Sequence, residues 1–119
     1  MAPVPRDGLG HLRIVLSETA YVGPGRADLL EFIAETGSIS AAGKRMGMSY
    51  KRAWQLVQAL NAGFGTPLVT ASRGGSAQGG ASLTPAGKTV LEGYRRIEGR
   101  VRATMEEDVA ALRRAFDMA

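Results

Sequence analysis

Apolar residues in the middle of the chain recur at helical spacing and predict three consecutive helices. The first ends at Gly37, because glycine readily adopts the left-handed conformation that closes many helices. Ser38 is suited to cap a short second helix that Gly47 ends, and Ser49 is suited to cap a third that runs to Asn61. The inner-face positions are Leu29, Leu30, Ile33 and Ala34, then Ile39, Ala42 and Met46, then Ala53, Leu56, Val57 and Leu60.

Short apolar runs on either side of these helices predict strands. His11–Leu16 has the composition of a strand, and Val22–Gly25 has that of a turn. After the third helix, Pro67–Val69 and Ala81–Leu83 are predicted to pair as a hairpin. The glycine-rich segment Arg73–Gly80 would form its long tip.

A long helix is predicted at the end of the sequence. Thr84 is a suitable cap, Pro85 fits the first helical position, and the pattern continues to near Phe116. Since this exceeds what a small core needs, we expect a partner helix against the near-heptad positions Val90, Tyr94, Ile97, Val101, Met105 and Leu112. The fold class is therefore mainly α with a small β hairpin, divided into a tail over 1–10, a domain over 11–84 and a dimerisation helix over 85–119.

The segment from Gly37 to Leu60 has the residue types that two closely crossing helices need. Ala42, Gly43 and Ala53 are small enough for a close approach, and Gly47 tolerates positive φ in the turn. These features predict a helix-turn-helix whose second helix points its first turns outward.

The outward residues of that second helix suit a DNA duplex. Arginine or lysine can donate to guanine, glutamine can pair with adenine, and hydroxyl groups can hold phosphate oxygens. Base reading by such helices uses mainly their N-terminal residues. The candidates are Ser49, Tyr50, Lys51, Arg52, Trp54 and Gln55, with Ser38 and Ser40 as a second backbone contact.

Each candidate also has a plainer interpretation. Trp54 is more often a core anchor than a contact, and Gln55 can be an ordinary solvated position. For Tyr50, a core position and a DNA contact are about equally favoured. The simplest interpretation of Lys51 and Arg52 is that they bind phosphates. Contact with bases is the more specific and less favoured hypothesis.

The charge distribution supports a polyanion as partner. The formal net charge is +4, yet no aspartate or glutamate occurs between Thr36 and Leu91. A continuous positive segment favours nucleic acid, because each neutralised phosphate releases counterions. A solvated basic face is the alternative. The cations of this segment are Lys44, Arg45, Lys51, Arg52, Arg73 and Lys88.

Several classes of protein are disfavoured. The absence of cysteine excludes disulfides and thiolate metal sites. We see no membrane span and no secretory signal, so we expect a cytoplasmic protein associated with the bacterial nucleoid. Only His11 could supply imidazole chemistry, and Arg73–Gly80 lacks the Lys-Ser/Thr of a phosphate loop. We therefore predict neither an enzyme nor a cofactor or metal site.

Four motifs together resemble the N-terminal winged helix-turn-helix domain of the molybdate-responsive ModE family. They are GSISAAGKRMGMSYKRAW, then NAGFGTPLV, the glycine-rich wing and LTPAGKTVL. More distantly, the sequence is similar to LysR-type DNA-binding domains. The resemblance covers roughly residues 11 to 115. It implies a homodimer on double-stranded DNA, joined through the N-terminal strand, the first helix and the long C-terminal helix. It also implies the helix 49–61 in the major groove and the wing 70–83, including Arg73, against the backbone.

The sequence differs from that family at two points. Gly43 stands where alanine is usual, at a cost of about 0.5–1 kcal/mol in helix stability. The sequence also ends at Ala119, before the oxyanion-binding domains of full-length ModE proteins. We therefore expect no small-molecule effector site in these residues, and a link to molybdenum metabolism is implied by the family alone.

Three functions remain open. The first is a sequence-specific transcription regulator of the ModE/LysR type. The second is an architectural DNA-binding protein with weak sequence preference. The third is a protein-interaction module acting through the long helix and its acidic cluster Glu106–Asp108.

Overall fold

The computed structural model describes residues 9–72 and 80–118, in which eight elements follow one another. The N-terminal tail up to residue 8 and the wing tip with Arg73 lie outside the described residues. No helix in the described ranges has the length and apolar character needed to cross a membrane. The elements are β1 (Ile14–Val15), β2 (Tyr21–Val22), α1 (Pro24–Thr36), α2 (Ile39–Arg45), α3 (Tyr50–Phe64), β3 (Val69–Ser72), β4 (Gly80–Leu83) and α4 (Pro85–Ala115).

The N-terminal region differs from the sequence prediction. The strand expected over His11–Leu16 is reduced to β1, which pairs antiparallel with β2. The expected turn over Val22–Gly25 was wrong, since Val22 belongs to β2 and α1 already starts at Pro24. Proline suits the first helical position because the amide hydrogen that it lacks would have no partner there.

The predicted caps of α2, α3 and α4 are confirmed. The hydroxyls of Ser38, Ser49 and Thr84 each accept a hydrogen bond from the backbone N–H three residues later, at 3.0–3.1 Å. Gly37 and Gly47 have φ of 69°, which permits α1 to end and the chain to turn between α2 and α3. The helix-turn-helix therefore forms where its local signals predicted it.

The third helix is longer than predicted and is tied to the β3–β4 hairpin. It passes through Asn61 and ends at Phe64. The Asn61 side chain accepts from the backbone N–H groups of Leu68 and Val69 and donates to the Val69 carbonyl, at 2.8–3.2 Å. β3 starts at Val69, two residues later than the predicted Pro67–Val69 strand, and pairs antiparallel with β4.

One apolar core joins α1, α2, α3 and the β3–β4 hairpin. Gly43 and Ala53 lie at the α2–α3 crossing, where a Cβ added to Gly43 would come to 3.0 Å from that of Ala53. The glycine thus permits α2 and α3 to cross more closely than an alanine at this position would allow without a shift of its neighbours. Fully buried members of this core include Leu29, Leu30, Ile33, Leu60 and Leu68.

The first half of α4 packs on this body, and the second half extends beyond it. Gly87 lies so close to the residue before β3 that an added Cβ would overlap the carbonyl oxygen of Leu68. The buried residues of α4 are Gly87, Tyr94 and Glu98. Residues 99–115 therefore form about 25 Å of helix with no buried residue.

Candidate nucleic-acid interface

One face of α3 is anchored in the core and the opposite face is open. Ala53, Val57 and Leu60 are buried. With about 100° of rotation per residue, the direction opposite to them passes between Lys51 and Gln55. Both side chains are exposed. The anchored face thus fixes which residues a duplex lying along α3 would meet.

The first turn of α3 combines positive charge with hydrogen-bonding groups. Tyr50, Lys51 and Arg52 are all exposed, and Tyr50 is 57% accessible. Within the described ranges, no ion pair involves Lys51 or Arg52. The Ser49 hydroxyl accepts from the Arg52 N–H, which leaves its own proton available for a phosphate oxygen.

The start of α2 lies beside the start of α3. Ser38, Ser40, Lys44 and Tyr50 line one open groove between them. Serine and tyrosine hydroxyls and a lysine ammonium are all donors that phosphate oxygens accept. The groove brings together the two serines predicted as a second backbone contact and adds Lys44 to them.

Arg45 is also exposed, but an acid of α1 partly balances its charge. Its guanidinium is paired with the Glu35 carboxylate of α1, and it lies 5.4 Å from the centroid of the Phe32 ring. The sequence between Thr36 and Leu91 therefore suggested more unpaired positive charge than the structure has. The acid that pairs with Arg45 lies on α1, outside that segment.

Trp54 is more exposed than a core anchor would be. Its side chain is 45% accessible, and it lies one turn after Tyr50 on the same side of α3. The expectation that Trp54 anchors the core therefore holds only for the buried part of its side chain. Gln55, by contrast, lies near the centre of the open face.

Two residues of the open surface were not among the predicted site residues. Gln58 is exposed one turn after Gln55, and Lys44 lines the groove at the start of α2. Continuing the helical projection past the first turns of α3 would have found Gln58. Nothing local distinguishes Lys44 from Arg45, because the acid that pairs with Arg45 belongs to another helix.

The predicted dimer residues of α4 fall into two groups. Ile97 and Leu112 are 37% and 62% accessible, and Val101 and Met105 are partly exposed. Tyr94 is only 3% accessible and packs inside its own chain, with its hydroxyl donating to the Leu12 carbonyl at 2.7 Å. Burial, together with the nearby Glu98 carboxylate, raises the pKa of Tyr94 to about 12.

Arg95 holds α4 against α1. Its guanidinium donates to carboxylates of Asp28 and Glu31 on α1 and of Glu98 on α4, at 2.8–3.2 Å. Burial alone would lower the pKa of Arg95, but the hydrogen bonds to Asp28 and Glu98 outweigh it and raise the pKa. This network also compensates the buried charge of Glu98.

The crossing of α2 and α3, the β3–β4 hairpin and the long α4 define a winged helix-turn-helix domain. The sequence model of the family described as bacterial regulatory helix-turn-helix proteins, lysR family, matches residues 26–88, more than half of the chain. The chain belongs to this family. Because the family is one of regulatory proteins, the prediction that the chain is not an enzyme is confirmed.

Relatives confirm the resemblance to ModE. The molybdenum-pterin-binding protein MopB of Rhodobacter capsulatus is 49% identical over 96 residues, covering 80% of this chain and 36% of that protein. The DNA-binding transcriptional dual regulator ModE of Escherichia coli K12 is 37% identical over 83 residues, covering 70% and 32%. The chain thus spans about a third of the length of these curated relatives.

A solved structure shares the fold. A crystal structure of a CbnR_DBD–DNA complex superposes with a TM-score of 0.58 and 31% sequence identity, covering 75% of this chain and 97% of that one. The match extends over nearly all of that domain, which confirms the winged helix-turn-helix assignment.

Proposed function

We propose that this chain is a sequence-specific, DNA-binding transcription regulator that inserts α3 into the major groove. The observation that carries the proposal is the open face of α3, on which Lys51, Arg52 and Gln55 are exposed. The two cations have no acidic partner among the described residues. An α-helix fits the major groove, and these side chains can reach base edges and phosphates.

The groove at the start of α2 gives the duplex a second contact. Ser38, Ser40 and Lys44 would hold the phosphates of one strand while α3 reads the bases beside them. The solved CbnR_DBD–DNA complex supports DNA as the partner, as do the ModE relatives that are described as transcriptional regulators.

A mobility-shift assay on DNA selected from a randomised duplex pool tests the proposal. The double variant Lys51→Ala, Arg52→Ala should lose binding, whereas Arg114→Ala, at the far end of α4, should retain it. Equal binding by wild type and the double variant would refute the role of α3. A specific reader should prefer its selected site by about 10³ or more over unrelated DNA, and a smaller ratio would indicate an architectural protein.

We also propose that the regulator acts as a homodimer joined through α4. Residues 99–115 have no buried residue, and most helical stability in proteins comes from packing an apolar face against other elements. Ile97, Val101, Met105 and Leu112 lie on one side of α4 and form a mainly apolar stripe, which Asp108 interrupts. A shallow apolar groove between the β1–β2 hairpin and α4, lined in part by Ile14, Leu16 and Ile97, lies at the start of the stripe.

Light scattering during size-exclusion chromatography tests the dimer. Val101→Glu, on the stripe, should give a monomer at tens of micromolar. Ala103→Glu provides the matched control, because two residues rotate the side chain by about 200° to the other side of the helix. A wild-type monomer, or a dimer that Val101→Glu leaves intact, would contradict this proposal.

A further inference from the structure

Trp54 is a large side chain whose exposure the core does not explain. It lies on the helix that the proposed function places against DNA, and nearly half of its surface is open to solvent. Among the described residues, no hydrogen bond uses its indole N–H. An aromatic side chain left open beside a contact face is well placed to contact an apolar group on the partner.

The position of Trp54 on α3 limits what it can contact. It lies roughly a quarter-turn from the centre of the open face, on the side of Tyr50. Tyr50 borders the groove at the start of α2, where the phosphates of one strand would lie. Trp54 therefore lies between the residues facing base edges and the path of that strand's backbone.

The apolar group that a duplex presents in that region is the C5-methyl of thymine. It projects into the major groove, on the side of the pyrimidine that faces its own backbone. Cytosine carries only a hydrogen atom at C5, and guanine and adenine present the N7 acceptor in the major groove, so none of them offers an apolar group as large as the methyl. The chemistry of the exposed ring therefore selects thymine.

We propose that Trp54 is a specificity-determining residue that packs on the C5-methyl of a thymine in the bound site. This inference rests on the proposed function and adds to it one base preference and its cause. Burying one methyl group favours the thymine site about fourfold, and a symmetric pair of half-sites about fifteenfold.

Replacing thymine by uracil tests the proposal, because uracil lacks only the methyl group and pairs with adenine in the same way. A duplex selected by the wild-type protein from a randomised pool is prepared with thymine and with uracil, and both dissociation constants are measured. Wild type should bind the thymine duplex about fourfold more tightly per contacted methyl. The Trp54→Ala variant should bind both duplexes equally.

Gln58→Ala is the matched control, because Gln58 is exposed one turn further along the same helix. This variant should keep the thymine preference even where its affinity falls. If Trp54→Ala binds too weakly to measure, the polar Trp54→Gln variant serves the same comparison, with a ratio near one expected. Circular dichroism verifies that each variant is folded.

Two results would overturn the inference. One is a thymine preference that persists in Trp54→Ala, which would assign it to the shape of the DNA. The other is a wild-type protein that binds both duplexes equally. Failure of the wild type to bind any selected duplex would instead refute the proposed function and, with it, this inference.

Discussion

Lys44 and Arg45 are neighbouring cations on α2 that should contribute very differently to DNA binding. Lys44 lines the groove with Tyr50, whereas the charge of Arg45 is paired with Glu35. Lys44→Ala should therefore remove a phosphate contact, and Arg45→Ala should remove none. The two substitutions are matched in type and lie side by side on one helix.

The dependence of affinity on salt measures the difference. Each neutralised phosphate contributes about −0.9 to the slope of log K against log salt. If Lys44, Lys51 and Arg52 each contact one phosphate in both protomers, the slope is about −5.4. Affinity then falls about 2000-fold between 50 and 200 mM salt. Removing Lys44 leaves a slope of about −3.6 and a fall of about 150-fold.

Fluorescence anisotropy with the selected duplex gives these slopes directly. Arg45→Ala should keep the wild-type slope, because its positive charge is already balanced within the protein. Equal slopes for wild type and Lys44→Ala, or an equal decrease for both variants, would refute the assignment of charge on α2.

Two further predictions concern the attachment of α4. Gly87→Ala should destabilise the fold by about 1–3 kcal/mol, because the added Cβ would overlap the Leu68 carbonyl. Gly99→Ala has open space around it and should stabilise the fold by up to ~1 kcal/mol, as measured by thermal unfolding. Tyr94 has its pKa raised to about 12 in the folded state, so its stabilising contribution is complete below pH 10 and is lost as pH rises towards 12. Tyr94→Phe should remove that part of the alkaline loss in denaturant unfolding, and an unchanged pH profile would contradict the burial argument.

Features set by neighbouring residues could be predicted from the sequence. The caps at Ser38, Ser49 and Thr84 each depend on a side chain and a backbone group three residues away. The turn at Gly47 depends on its own backbone conformation. These local interactions were enough to identify α2, α3 and the start of α4.

Features set by distant contacts could not be predicted in this way. Tyr94 fits a dimer stripe by its spacing, but its hydroxyl binds Leu12, far away in the sequence. Asn61 is a residue type common at helix ends, and the third helix was predicted to end there. Its side chain instead joins α3 to Leu68 and Val69. In both residues, a tertiary hydrogen bond outweighed the local pattern.

The open second half of α4 has a consequence for how the protein responds to its own concentration. Residues 99–115 have no core of their own, so their folding would be coupled to pairing with a second copy. Coupling of this kind makes the melting temperature rise with protein concentration, by mass action. Cellular abundance would then control both the order of this helix and the number of paired DNA-reading helices.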